Sequence, residues 1–451
     1  MNKKPQIALS DEERFPTLSN LAFLNELKQA STAPNFNFES GDRLTAQHLL
    51  QVQDYAKRIR TQAVFWEENT YPTWLENYLN WCIQEVPFYQ DRSPQFEEQA
   101  TIARKDICQY PWQFVANTAL IKDLLVYQTS GTTGPAMDVL FNPIAQACWI
   151  PQLESILDRL DIHLSNELDK VAIAMICAQD ATLTYASLST YLQGSGVLKI
   201  NLNEKDWNLA NDRIAYLEHY NPEILTGDPF AFLALYKLQP RLRPKALVSS
   251  AMQLSDGLRH TLEAYFKCPV LDIYSMTECR MIAVAEVGKY KAIRPDLYLE
   301  IFDPVRDKLL PLGEKGELVV TGGNNPFLPL LRYRTGDFCR LQIEHGIPYL
   351  YDLQARKPVP FYTKQGRFIN NIDISRALMN LPLVGFELHQ KKNHELHLKA
   401  WTNEATEITL VKQLQLVFGT EIVIHCTLIP VDKEISFKPV QYSSAFEMSM
   451  Q

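Results

Sequence analysis

Residues Tyr127–Gly134 read YQTSGTTG, with four hydroxyl side chains (Thr129, Ser130, Thr132 and Thr133) interleaved with Gly131 and Gly134. Glycine lets successive backbone N–H groups converge on one anion, and the hydroxyls add donors to the same concavity. The stretch therefore reads as a phosphate-holding loop. It is not a Walker A loop, because no Gly-Lys-Ser/Thr follows the second glycine. An ordinary Ser/Thr/Gly turn has the same composition, so the rest of the chain has to decide between the two readings.

On the N-terminal side, the first 125 residues or so read as helical. Leu44–Phe65 carries Leu49, Val52, Tyr55, Ala56, Ile59 and Ala63 at the i, i+3, i+4 spacing of a helix with one buried face. Trp74–Val86 repeats the pattern with Trp74, Tyr78, Trp81 and Cys82. From about Val126 onward, short apolar runs alternate with amphipathic stretches. Val171–Ile176, Ala246–Val248, Val270–Tyr274 and Leu318–Thr321 read as buried strands, and Asn208–Glu218 and Leu254–Phe266 as helices between them. Such alternation implies an α/β architecture with a largely parallel sheet. Ligands gather in the loops beyond the carboxyl ends of its strands.

A proline-containing stretch, Arg356–Phe361 (RKPVPF), reads as a linker. Beyond it a small α+β unit is expected. Its helices fall near Ile374–Asn380 and at Ile408–Phe418, and its strands around Phe386–Gln390, Glu395–Trp401 and Glu421–Leu428, with a frayed tail after Ser443.

At 451 residues, 46% hydrophobic and 21% charged, the chain has the balance of a globular protein with a sizeable core. A net charge of −8 argues against a general nucleic-acid or anionic-membrane binder. None of the eight cysteines forms a CxxC pair, so neither a disulfide framework nor a zinc ribbon is suggested. Met1–Asn20 has no apolar h-region, and no window approaches a membrane span. A reducing cytoplasm is the default location.

TSGTTG resembles the phosphate loop of the adenylate-forming superfamily, which includes acyl-CoA synthetases, peptide-synthetase adenylation domains and firefly-type luciferases. Three further motifs stand in that family's order. Tyr274–Glu278 (YSMTE) resembles its Tyr–small–x–Thr–Glu motif, and Gly316–Val320 (GELVV) the strand before the ribose site. Tyr333–Asp337 (YRTGD), with Arg340 downstream, resembles the ribose-binding motif. Val86–Tyr89 (VPFY), Tyr110–Trp112 and Asn221–Leu225 (NPEIL) are similar to the phenylacetate–CoA ligase branch.

The resemblance implies a large α/β domain of mixed sheets with flanking helices (1–355) and a small α+β lid (356–451). It implies activation of a carboxylic acid, an aryl acid by branch, by ATP and Mg²⁺. An acyl-adenylate would form with release of pyrophosphate, and the acyl group would pass to a thiol, either CoA or the phosphopantetheine of an acyl or peptidyl carrier protein. On this resemblance Thr129–Gly134 would hold the β- and γ-phosphates, Thr277 would reach the α-phosphate, and Glu278 would hold Mg²⁺, a hard cation suited to oxygen ligands. Tyr274 would lie along the adenine and Asp337 would accept the ribose hydroxyls, with Ser250, Ala251 and Ser275 bordering the nucleotide. Arg356 aligns with the junction arginine, and Lys438, with Lys433 as the rival, with the mobile catalytic lysine.

For the acyl pocket the expectation is Ala181–Gly196, where Tyr185 and Tyr191 stand near small residues. No basic residue stands out to balance a second charge on the substrate. The chain departs from the family's pattern at Pro135, Ala136 and Met137, where a lysine is usual after the loop, and at Pro358 in the hinge, where φ is fixed. No Cys/His site follows YSMTE, so no structural zinc is expected, and His389, His394 and His397 read as a solvated face. Two alternatives remain at this stage: a catalytically impaired nucleotide-binding member of the same fold, and an acyl-protein synthetase using Cys426, whose strand setting should dull its thiol.

Overall fold

The Ala46–Thr61 helix starts where Thr45 accepts the N–H of His48 and buries Val52, Tyr55, Ala56 and Ile59. The Leu75–Glu85 helix buries Leu75, Leu79 and Cys82. The apolar spacing of each segment is thus realised as one packed stripe. These helices belong to a computed structural model that describes residues 9–68, 70–128, 137–354, 359–378, 381, 385–402, 405–430 and 442–446.

The strands follow in order: β1 (Leu125–Gln128), β2 (Asp138–Phe141), β3 (Val171–Cys177), β4 (Tyr185–Ser189), β5 (Ser195–Asn201), β6 (Ile224–Gly227) and β7 (Ala246–Ser250). They continue with β8 (Val270–Met276), β9 (Arg280–Glu286), β10 (Lys289–Ala292), β11 (Leu297–Phe302), β12 (Lys315–Gly322), β13 (Leu330–Glu344) and β14 (Ile347–Gln354). Twelve of them form one sheet in the order β11-β12-β13-β14-β10-β9-β8-β7-β6-β3-β5-β4, and β1–β2 make a separate hairpin.

Only the run β5-β3-β6-β7-β8 is parallel. From β8 through β11 every pairing is antiparallel, as is β4 on β5. The largely parallel sheet read from the alternation of elements is therefore corrected to a mixed one, in line with the mixed sheets that the family resemblance implied. The physical reason is connection length: three residues separate β8 from β9 and two separate β9 from β10. A parallel crossover needs a dozen or more. Where helices do intervene they cover the sheet, as when Leu258, Leu262 and Phe266 of the Asp256–Phe266 helix join Leu247 and Val270 in one core.

The C-terminal unit pairs β15 (Phe361–Tyr362) with β16 (Phe368–Ile369), and forms a second sheet from β17 (Gly385–Gln390), β18 (Leu396–Trp401), β19 (Ile424–Ile429) and β20 (Tyr442–Ser444) in the order β19-β18-β17-β20. Helices Asn371–Leu378 and Glu407–Phe418 contribute Ile374, Leu378, Leu410, Leu414 and Phe418 to a core shared with Phe386, Leu388 and Leu398. Tyr442–Ser444, where the expected frayed tail begins, adds a parallel edge to β17, a pairing too short to leave a sequence period; residues 447–451 of that tail lie outside the described residues. This unit touches the large sheet's loops. The Asp180 N–H donates to Asp373 at 2.9 Å, Asn370 donates to the Ala178 carbonyl at 3.1 Å, and the rings of Phe230 and Phe368 lie 4.7 Å apart. Among the described residues no helix is long and apolar enough to cross a membrane.

Candidate active site

The last parallel strand, β8, and the first hairpin partner, β9, meet at Thr277–Cys279, so the YSMTE motif occupies the point where the sheet changes sense. A register shift between Tyr274 and Ser275 marks an irregularity of the kind that re-aims side chains beside active sites. Tyr274 is buried, and its hydroxyl donates to Asp337 Oδ2 at 2.9 Å. Glu278 is also buried, and its Oε1 accepts the Tyr333 hydroxyl at 2.8 Å. Two motifs more than fifty residues apart thus interlock twice, each supplying one phenol and one carboxylate.

The third motif holds the second in place. Gly336 N–H donates to Glu317 Oε1 at 2.8 Å, and the Thr335 hydroxyl donates to the Leu318 carbonyl at 2.8 Å. Gly336 adopts φ +73°, a conformation that favours glycine over any side chain. The Asp337 N–H returns to Thr335 Oγ1 at 3.1 Å, so the carboxylate follows a backbone tied down on both sides. Glu317 and Tyr333 were not among the expected site residues. Both lie inside quoted motifs, but the sequence does not say which partner each would meet.

Burial pushes the Tyr274 and Tyr333 phenols well above their ordinary range, and the carboxylates of Asp337 and Glu278 add to the effect. Both therefore remain protonated donors through neutral pH. Thr277 is half-buried in the turn. Ser250 and Ala251 lie at the carboxyl end of β7, with Ala251 at φ +69°.

The phosphate-loop candidates Thr129, Ser130, Gly131, Thr132, Thr133 and Gly134, with Pro135 and Ala136, lie outside the described residues. So do Arg356, Pro358, Lys433 and Lys438. The ladder that leads into the loop is described: β1 pairs with β2 from Leu125↔Phe141 to Gln128↔Asp138, and Met137 is buried in the core. Arg280, two residues after Glu278, lies with its guanidinium 4.1 Å from the centre of the Phe141 ring and 5.4 Å from that of Tyr127. The base of this hairpin and the Glu278 turn are therefore in contact.

The structure separates the two tyrosines expected in the acyl pocket. Tyr185 has Tyr127 and Arg280 among its electrostatic neighbours. Tyr191 instead donates to Glu154 at 2.7 Å, and Glu154 pairs with Arg60 at 2.9 Å, where the Ala46–Thr61 and Trp149–Leu157 helices meet.

In the small unit, His389, His397 and His425 are register partners across β17, β18 and β19, while His394 packs against Phe446. Ligand atoms of Glu395, His397 and His425 lie within 4.8 Å of one another. The Cys426 thiol is pushed up to about 11 by burial, which disfavours a thiolate at that position.

The fold and this geometry define an α/β protein with a candidate nucleotide site at the point where its sheet changes sense. The chain belongs to the AMP-binding enzyme family, whose pattern it matches over residues 90–325, just over half its length. A phenylacetate-coenzyme A ligase of Pseudomonas putida is 32% identical over 141 residues, covering 29% of this chain and 32% of the relative. Protein CapK of Staphylococcus aureus is 24% identical over 232 residues, 47% of this chain and 50% of that one. The chain thus spans about a third to a half of the length of these curated relatives. Among solved structures, a 2-hydroxyisobutyryl-CoA ligase in complex with 2-HIB-AMP and CoA covers 91% of this chain and 96% of its own, with a TM-score of 0.53 and 14% identity. That likeness extends the shared fold through the C-terminal unit.

Proposed function

We propose that the protein is an AMP-forming ligase that activates a carboxylic acid with ATP and passes the acyl group to a thiol, CoA in the first instance. The observation that carries the reading is the double interlock of Tyr274 with Asp337 and Tyr333 with Glu278 beside the β1–β2 hairpin. Family membership and a similar ligase whose complex holds an acyl-AMP and CoA support it. An aryl acid is the substrate class suggested by the phenylacetate-ligase likeness.

In this mechanism Asp337 binds the ribose hydroxyls, its orientation held by Tyr274 and by the Thr335–Gly336 tether. Tyr274 offers its ring to the adenine. Ser250, Ala251 and Ser275 border the nucleotide, and Thr277 donates its hydroxyl to the α-phosphate. The 129–134 loop cradles the β- and γ-phosphates. Glu278 fits a hard cation: it is a buried carboxylate whose Oε1 orientation is set by Tyr333. Mg²⁺ held there would neutralise charge on the phosphates. Oriented donors of this kind let the substrate carboxylate approach the α-phosphate despite like charge. Arg356 and a lysine of the C-terminal segment, Lys438 or Lys433, would complete the positive surroundings, with 356–451 acting as a lid on 1–355.

Acid-dependent exchange of labelled pyrophosphate into ATP, with and without CoA, tests the proposal. Exchange that depends on a carboxylic acid and on Glu278 supports it. ATP binding with no exchange across aryl and aliphatic acids refutes it in favour of a nucleotide-binding protein without turnover.

A further inference from the structure

Arginines deep in this protein face carboxylates. Arg14 lies against Asp11 and Glu39, Arg294 meets Asp296 at 2.6 Å, and Arg332 meets Glu300 at 2.8 Å. Arg280, half-buried rather than fully buried, has no such partner among the described residues. Its side-chain hydrogen bond to a described residue goes from Nη2 to Gln146 Oε1, a neutral amide, and no salt bridge joins it to any described carboxylate. Its Nε is closed off from solvent and has no hydrogen-bond partner among the described residues. The surroundings are aromatic rather than acidic: Phe141 and Tyr127 lie against the guanidinium, and Tyr185 is an electrostatic neighbour. An arginine remains charged at any physiological pH. Arg280 also holds φ +65°, a left-handed conformation that a non-glycine residue adopts at a cost.

A guanidinium stacked on a ring keeps in-plane N–H groups available to a planar anion; in Arg280, with one Nη2 hydrogen on Gln146 and Nε closed off, Nη1 and the remaining Nη2 hydrogen are left to grip it with two N–H···O bonds. We propose that Arg280 binds a second carboxylate on the acid substrate, so that the preferred substrate is a flat or aromatic dicarboxylic acid rather than a simple aryl monoacid. The inference rests on the adenylating function proposed above and narrows it. It also revises the expectation that no basic residue balances a second substrate charge. A triphosphate is the other anion within reach. Phosphates, however, sit in cradles of backbone N–H and hydroxyl donors, whereas the described groups stacked on Arg280 are ring faces that suit a hydrocarbon body.

The test compares pyrophosphate exchange with phenylacetate, its three ring-carboxylated derivatives and their neutral carboxamides, using the full chain and its Arg280→Met and Arg280→Lys variants. Thermal-shift titration of the same acids on the same three proteins runs beside it. A charge-assisted pair predicts a wild-type preference of roughly 10- to 100-fold in kcat/KM for one dicarboxylate over its carboxamide. That preference should collapse in Arg280→Met and return in part in Arg280→Lys. Exchange with monoacids and no preference above threefold overturns the inference and leaves the ligase reading standing. A uniform rise in the KM for ATP in Arg280→Met, whatever the acid, also overturns it and assigns the arginine to phosphate. If no acid supports exchange, the ligase reading fails, and the titration decides the binding claim: a shift by the dicarboxylate that Arg280→Met abolishes supports it, and equal shifts refute it.

Discussion

The two halves of the twelve-stranded sheet are built by different rules and contribute different things to the site. In β5-β3-β6-β7-β8 the strands are parallel, joined by connections that include helices; β3 is a continuous apolar run and β7 begins with one at Ala246–Val248. This half supplies a rigid floor with loop ends at its carboxyl edge. In β9 through β14 the strands are joined by hairpins or loops, buried ion pairs such as Arg332–Glu300 sit in the core, and positive-φ residues mark the turns. This half supplies Tyr333 and Asp337, on a strand fifteen residues long. Neither half holds a complete set of site groups. Each carboxylate is oriented by a phenol from the other half, so the site exists only where β8 gives way to β9.

Four experiments bear on that division of labour. Breaking an ion pair inside the hairpin half should have the largest effect. Arg332→Met strands a buried Glu300 and should cost about 3–5 kcal/mol. A urea-midpoint change under about 1 kcal/mol would mean that this half does not depend on its internal charges. Next comes Glu278→Gln, which keeps a group able to accept from Tyr333 but removes the charge. Exchange should fall roughly 100- to 1000-fold with little change in urea midpoint, and unchanged exchange would remove the carboxylate from the mechanism. Tyr333→Phe acts across the boundary between the halves. It deprives Glu278 of a buried hydrogen bond worth about 1–3 kcal/mol, which predicts roughly a tenfold loss of exchange together with lower stability. Stability loss with full activity would reduce the bond to packing.

The smallest effect concerns Asp228, just beyond β6, which accepts the Ala231 N–H at 2.8 Å. Burial pushes its carboxyl up to about 6 from an ordinary 3.8, against hydrogen bonds from Ala231, Phe230 and Asn370 that lower it. Because the folded value is raised, the native state holds more protons between those two values. The stabilising contribution is thus complete below about pH 4 and lost as pH rises through about 6. Asp228→Asn, which mimics the protonated group, should gain about 1–3 kcal/mol relative to wild type between pH 4 and pH 7. Parallel urea curves with no pH-dependent difference would show that the carboxylate is solvated instead.

Much of this arrangement was legible in the sequence. The helical stripe at Val52–Ile59, the strand at Val171–Ile176 and the order of elements from Ile374 to Leu428 follow from local periodicity, and the structure keeps them within a few residues. The sense of the sheet beyond β8 was not legible from apolar runs alone, because parallel and antiparallel strands can share a buried pattern; connection length separates them. Tyr191 illustrates a second limit. An aromatic beside small residues reads as a pocket wall, yet its hydroxyl is committed to Glu154.

The sequence by itself carried the chemistry proposed for this chain, because hydroxyl–glycine runs, a Thr-Glu pair and a Thr-Gly-Asp run are local chemical statements written in consecutive residues. Only the tertiary structure decided which groups act together. That Tyr333 meets Glu278, and that Arg280 lies over Phe141 with no described carboxylate paired to it, are facts about atoms brought into contact by the packing of strands distant in the chain. No local pattern encodes such contacts, since hydrogen bonding and charge pairing depend on separations of a few ångströms that folding alone creates.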